Sequence, residues 1–230
     1  MPVFRLTSEM RFPPPHMADP EGILAIGGDL SVPRLLLAYR LGIFPWYSEG
    51  DPILWWSPDP RMLLFPEEFI VSRSLRRVIR SRRYEVRMDT AFDRVIEACA
   101  TARGPGREST WITPEMMAAY RHMHQAGYAH SIETWEAGRL VGGLYGISLG
   151  SCFFGESMFH HAADASKVAL AALVETVTSW RFSFIDCQVA NAHLASLGAR
   201  EVPRTTFLKL LAQGVQHPTR TGPWTALQGV

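Results

Sequence analysis

Three polar residues, Glu156, Asp186 and Gln188, stand inside segments that otherwise read as apolar strands. A carboxylate in low dielectric is costly unless it is paired or hydrogen-bonded, so such groups are either tied into the fold or poised for work. Asp186 and Gln188 are two residues apart, so on a strand they project from one face, about 7 Å apart at Cα. Glu156 lies in Gly155-Glu156-Ser157-Met158-Phe159, where Gly155 permits close approach and the helix that follows brings unpaired N–H groups to the same place. These three are the candidate catalytic residues.

Other chemistries find less support in the residues. Adjacent His160 and His161 diverge on a strand, and His122 and His124 fall on different helix faces, so neither pair makes a metal site. Ser157 lacks the closing glycine of a Gly-x-Ser-x-Gly elbow. No phosphate-binding loop or Gly-x-Gly-x-x-Gly run occurs, so no metal and no nucleotide or redox cofactor is expected.

The elements that must position these groups follow from punctuation and periodicity. Residues 1–62, rich in Pro, Gly and Trp, read as a small irregular platform domain with one helix at 33–41, which Ser31 introduces and Gly42 stops. Residues 63–230 read as a second domain of alternating helices and strands. A strand at 62–65 is followed by a helix at 74–83, a strand at 84–88 and helices at 91–102 and 113–126. A three-stranded meander spans 129–159, with Gly142, Gly143 and Gly146 marking a bulge or a close approach in its middle strand. A helix capped by Asp164 or Ser166, a strand at 182–189, a short helix at 191–197 and a last helix at 204–212 complete the chain. The fold class is therefore α+β.

With 230 residues, 47% apolar and 20% charged, the chain has the composition of a soluble globular protein. No apolar run approaches the roughly 20 residues of a membrane helix, and no signal peptide is apparent, so a cytoplasmic protein with no membrane partner is expected. The three cysteines, in no Cys-x-x-Cys spacing, read as reduced buried thiols. Net charge is only +1, yet seven arginines, Arg73, Arg76, Arg77, Arg80, Arg82, Arg83 and Arg87, face a single acid, Glu85, between Val71 and Met88. That asymmetry suits the phosphates of a nucleic acid, and Trp46, Trp55, Trp56 and Trp111 offer stacking surfaces for unpaired bases. Outside the arginine run the surface is near neutral and gives no reason to expect more than a monomer.

Several long strings taken together carry a family resemblance: Gly27-Gly28-Asp29-Leu30-Ser31, Gly42-Ile43-Phe44-Pro45-Trp46, Trp55-Trp56-Ser57-Pro58-Asp59-Pro60-Arg61, Thr110-Trp111-Ile112-Thr113, Gly155-Glu156-Ser157-Met158-Phe159, Ala165-Ser166-Lys167 and Ile185-Asp186-Cys187-Gln188. Over residues 20–205 the chain resembles the leucyl/phenylalanyl-tRNA–protein transferase family. The resemblance implies a small N-terminal domain and a Gcn5-related, acetyltransferase-like domain whose mixed, mostly antiparallel sheet is flanked by helices. It implies transfer of Leu or Phe, and less well Met, from aminoacyl-tRNA to proteins that begin with Arg or Lys, marking them for N-end-rule degradation.

By the same resemblance, Leu144, Phe153, Met158, Leu170, Leu173 and Ile185 line the pocket for the transferred side chain, with Leu173 where the family often has Phe. Trp46 and Trp111 correspond to the holders of the terminal adenosine, and Arg76, Arg80, Arg82 and Arg83 to the acceptor-stem cluster. A family proposal makes Gln188 the base and Asp186 its relay. An amide is a very poor base, so Gln188 is better read as an orienter, Asp186 as its electrostatic partner and Glu156 as the binder of a cationic amine or of the acceptor's Arg or Lys group. An acyl-CoA N-acetyltransferase and a non-catalytic tRNA-binding module are the alternatives. The first is disfavoured by His160-His161-Ala162-Ala163-Asp164, which stands where acetyltransferases have a glycine-rich pyrophosphate loop.

Overall fold

The computed structural model describes residues 3–102 and 111–225. Thr110 and the loop 103–107 of the sequence reading lie outside them. The first 62 residues are more regular than their composition suggests. Strands β1 (Phe4–Leu6), β2 (Ile23–Gly27), β3 (Phe44–Pro45) and β4 (Leu54–Trp56) form a sheet in the order β1-β2-β4-β3. Strands of two to five residues show no alternation to read, which is why a platform without strands was the expectation. Helix α1 (Val32–Arg40) packs on this sheet, and Gly42 follows with φ +76. Ser31 occupies the N-cap but makes no capping side-chain bond.

The larger sheet has the order β11-β5-β10-β9-β8-β7-β6. Its strands are β5 (Arg61–Leu64), β6 (Glu85–Met88), β7 (Ala129–Glu136), β8 (Arg139–Leu149), β9 (Cys152–His160), β10 (Phe184–Asp186) and β11 (Arg200–Val202). Every neighbouring pair is antiparallel except β9 and β10, which are joined through helix α5 (Ala165–Ser179). This mixed, mostly antiparallel sheet flanked by helices is the architecture expected. Helices α3 (Phe92–Thr101) and α4 (Pro114–Gln125) cover one face with the platform, and α5 covers the other. The Thr113 hydroxyl accepts the Met116 N–H at 3.2 Å and so caps α4 as anticipated.

Several boundaries differ for local reasons. Helix α2 (Arg73–Arg80) stops short of residue 83 because Arg82 turns to φ +49. Asp164 precedes α5 with φ +61 but spends its carboxylate on the Lys167 ammonium, 2.8 Å away, and caps nothing. The strand expected at 182–189 is only β10, and the chain turns at Gln188 with φ +57. The short α6 (Ala192–Ala195) and the last helix α7 (Arg204–Gly214) lie near their expected places, whereas β11 was not anticipated.

One apolar core joins the two sheets: Leu35, Tyr39 and Trp55 of the platform pack with Phe92, Tyr145 and Phe154. A second, around Phe153, Leu173 and Ile185, lies beneath α5 and is closed by Trp224 of the C-terminal segment. Among the described residues no helix is long and apolar enough to cross a membrane.

The glycines of β8 serve close packing. A Cβ on Gly146 would lie 2.2 Å from the Phe154 carbonyl oxygen and 2.5 Å from the Phe153 ring. Gly146→Ala is expected to cost at least about 1–3 kcal/mol, seen as a lower urea midpoint at unchanged slope. An unchanged midpoint would mean that β8 and β9 can part without penalty.

Candidate active site

Strand β10 ends at Asp186, opposite Phe154, whereas β9 runs on to His160. The gap beyond the end of β10 is a cavity of about 700 Å³. Its floor is apolar, formed by Leu144, Met158, Leu170, Leu173 and Ile185. One wall is Phe44-Pro45-Trp46 with Trp111, and the opposite bank is Cys187, Gln188 and Val189. Polar groups reach it from β9 through Glu156 and Ser157 and from the rim through His160, Lys167 and His193.

Five of the six residues expected in the apolar pocket therefore meet there. Phe153 does not, because it is fully buried beneath Trp224, with ring centroids 5.8 Å apart. A break in the β8–β9 register explains the mixture of faces. Ser157 pairs with Tyr145 and Gly155 with Gly146, so Glu156 is an extra residue in β9. Before the bulge Phe153 faces the α5 side and Phe154 the α3 side; after it Met158 faces α5 and Phe159 faces α3.

The bulge delivers Glu156 to two tyrosines. Tyr39 of α1 donates to Oε1 and Tyr120 of α4 to Oε2, each at 2.7 Å, and the two hydroxyls are 2.6 Å apart. Burial pushes the Glu156 carboxyl up to about 7; Asp186 adds to the rise, while the tyrosine bonds and Arg61 oppose it. Burial, and then the charge of Glu156, hold both phenols well above their ordinary range, so they remain donors. Tyr145 also borders the cavity, and its buried hydroxyl has no hydrogen-bond partner among the described residues.

Asp186 occupies a different environment from the one its spacing suggested. It is fully buried and does not line the cavity. Its Oδ1 accepts Arg61 Nε at 2.8 Å, and its Oδ2 accepts Arg61 Nη2 at 2.6 Å. The guanidinium lies between the rings of Phe44 and Phe207, 4.7 and 4.5 Å from their centroids, and Nη1 donates to the Gly42 carbonyl at 3.3 Å. Asp186 and Gln188 do not share a strand face; they are linked because Oδ1 of Asp186 accepts the Gln188 backbone N–H at 3.0 Å. That bond steadies the left-handed turn; Gln188 borders the cavity, and its Nε2 is buried with no partner among the described residues. Beside it, the Cys187 thiol is pushed up by burial and by Asp186, so it stays protonated and unreactive.

Of the tryptophans considered for stacking, Trp46 and Trp111 border the cavity. Trp56 leans on Trp46 with centroids 5.3 Å apart, and Trp55 is fully buried with its N–H on the Gly27 carbonyl. Arg76, Arg80 and Arg82 are exposed and in no ion pair among the described residues. Arg83 is instead held by Glu136 at 2.7 Å and Arg87 by Glu85 at 2.7 Å, which reduces the free positive charge. Tyr84, next to Arg83, donates to the carbonyl of Ala163, one residue before Asp164 on the cavity. No group of three His, Cys, Asp or Glu among the described residues could hold a metal ion.

Sequence reasoning missed Tyr39, Tyr120, Tyr145 and Arg61 as site residues. A carboxylate in an apolar strand signals that donors must exist, but nothing local says which distant residues supply them.

Residues 63–212 match the family model described as leucyl/phenylalanyl-tRNA protein transferase, and residues 28–59 match the model of its N-terminal domain. A Desulfatibacillum aliphaticivorans protein named leucyl/phenylalanyl-tRNA–protein transferase is 56% identical over 225 residues, covering 98% of this chain and 97% of the relative. A Myxococcus xanthus protein of the same name is 56% identical over 227 residues, covering 98% and 97%. Among solved structures, a GCN5-related N-acetyltransferase from Kribbella flavida is 10% identical with a TM-score of 0.37, covering 74% of this chain and 59% of that one.

Arg61→Met or Asp186→Leu alone should lower stability by about 3–5 kcal/mol, because each leaves a buried charge without its partner. The double variant should lose much less than the sum in urea melts; additive losses would show that the two do not act as a unit.

Proposed function

The chain belongs to the leucyl/phenylalanyl-tRNA–protein transferase family, and from that premise we propose that it moves Leu or Phe, and less well Met, from aminoacyl-tRNA to the α-amine of proteins beginning with Arg or Lys. The observation that carries this reading is one cavity with an apolar floor, a carboxyl of raised pKa and an unpartnered amide donor. The floor takes an unbranched-Cβ side chain such as Leu, Phe or Met by burial. The ester carbonyl then lies beside Gln188.

The acceptor's α-ammonium, with an ordinary pKa of about 7.7–8.0, gives a proton to Glu156, whose carboxyl titrates at about 7. The free amine attacks the ester carbon, and Nε2 of Gln188 donates to the oxygen as it becomes an oxyanion. On collapse the carbon–oxygen bond to the ribose breaks, the new C–N bond remains, and the ribose hydroxyl leaves with the proton that the attacking nitrogen loses. Glu156 and Gln188 are then the catalytic residues, and Asp186 with Arg61 positions Gln188. The negative end of the cavity at Glu156 also suits an acceptor whose first side chain is cationic.

The remaining parts of the reading fit around this centre. Trp46 and Trp111 hold the terminal adenosine, and Arg76, Arg80 and Arg82 take the acceptor stem, with Arg83 contributing once released from Glu136. Residues 1–62 act as the platform and 63–230 as the catalytic domain, a division supported by two separate sheets, although they share a core and β5 of the larger sheet already opens at Arg61. The protein works in the cytoplasm as a monomer and marks its acceptors for N-end-rule degradation.

The test is transfer of labelled Leu from charged tRNA to an Arg-starting peptide, with RNase and acetyl-CoA controls. Transfer abolished by RNase and indifferent to acetyl-CoA is expected; no transfer by folded protein would sink the reading. Because the carboxylate form of Glu156 takes the proton, kcat/KM should rise as pH rises through about 7, and Glu156→Gln should remove that limb. Persistence of the limb would assign the base elsewhere. Arg76→Ala with Arg80→Ala should raise KM for charged tRNA and reduce the slope of log affinity against log salt by about 1–2, with kcat little changed.

A further inference from the structure

We infer that the open edge of β9 is the docking site for the acceptor polypeptide, which binds as an extended strand in line with β10. This rests on the acyl-transfer reading of the cavity and adds how the acceptor's backbone is held. Among the described residues, β9 is paired from Glu156 to His160 with β8 on one side only, because β10 ends opposite Phe154. Gly155, Glu156, Ser157, Met158 and His160 all border the cavity. Gly155 and Met158 belong to one face of the strand and Glu156 to the other, and a cavity that touches both faces runs along the edge between them.

The opposite bank does not compete for that edge. Its backbone bonds turn toward β5: Cys187 donates to the Met62 carbonyl at 2.8 Å, and Met62 donates to the Gln188 carbonyl at 3.2 Å. Among the described residues, the groups left open are therefore those of β9, an alternation of N–H donors and C=O acceptors. A second polypeptide strand offers the same alternation at 4.7–4.9 Å from its neighbour. A sugar–phosphate backbone carries no N–H donors, so the tRNA end does not match this edge.

Direction follows from charge and chemistry. The α-amine must reach Glu156 and Gln188, at the end where β10 stops, and the acceptor then runs toward His160 and leaves at the rim. It lies parallel to β9. In a parallel pair every second residue of the incoming strand turns both its N–H and its C=O to the partner, so alternate acceptor residues are held whatever their side chains.

The test is an amide-to-ester scan of an Arg-starting hexapeptide, replacing one backbone N–H at a time at residues 2 to 5, with alanine swaps at the same residues as controls. An ester at every second position should raise KM by about 3- to 10-fold, while the intervening esters and the alanine swaps stay within about 2-fold. Equal KM values across the ester series would overturn the proposal. So would a uniform rise without alternation. In either case continued transfer to the unmodified peptide would leave the acyl-transfer reading standing.

Discussion

A single buried ion pair, Arg61 with Asp186, holds the site together. Two charges removed from water cost several kcal/mol each unless their geometry is good and every remaining donor is satisfied. Here the carboxylate receives two guanidinium bonds and one backbone N–H, while the guanidinium lies between two aromatic rings. The rings belong to β3 and to α7, the carboxylate to β10, and Arg61 itself opens β5. Four separate parts of the chain thus meet at one guanidinium, and the bank of the cavity that carries Gln188 is fixed against the wall that carries Trp46.

The second constraint is the bulge at Glu156. Without an extra residue, β9 would keep strict alternation, and Glu156 and Met158 would lie on one face. With it, the carboxylate reaches Tyr39 and Tyr120 while the thioether joins the apolar floor two residues later. Polar and apolar duties are separated within a few residues by a register shift. The two tyrosines come from α1 and α4, so the chemistry at Glu156 depends on the platform being seated on the sheet.

The arginine-rich helix shows how neighbours revise a charge count. Sequence gives seven cations against one acid over 71–88, but Glu136, beyond that window, claims Arg83. What is left free is the outward face of α2. Trp55 makes a similar point: its indole is sealed in the platform core, whereas Trp46, just after the neighbouring strand β3, borders the cavity.

Much was legible from sequence because it is local. Helix periodicity with its stops, the meander, and the need for partners around Glu156 and Asp186 follow from residue type and spacing, and the family follows from long rare strings. The short platform strands, the early end of β10 and the inward turn of Phe153 were not legible, since each is set by packing against segments far away in the chain. The sequence by itself determined which polar groups would sit in apolar surroundings. Only the tertiary structure decided that Asp186 would be neutralised in the interior by Arg61 while Glu156 and Gln188 face a cavity, because burial and pairing depend on residues 36 to 125 positions apart that only the fold brings together.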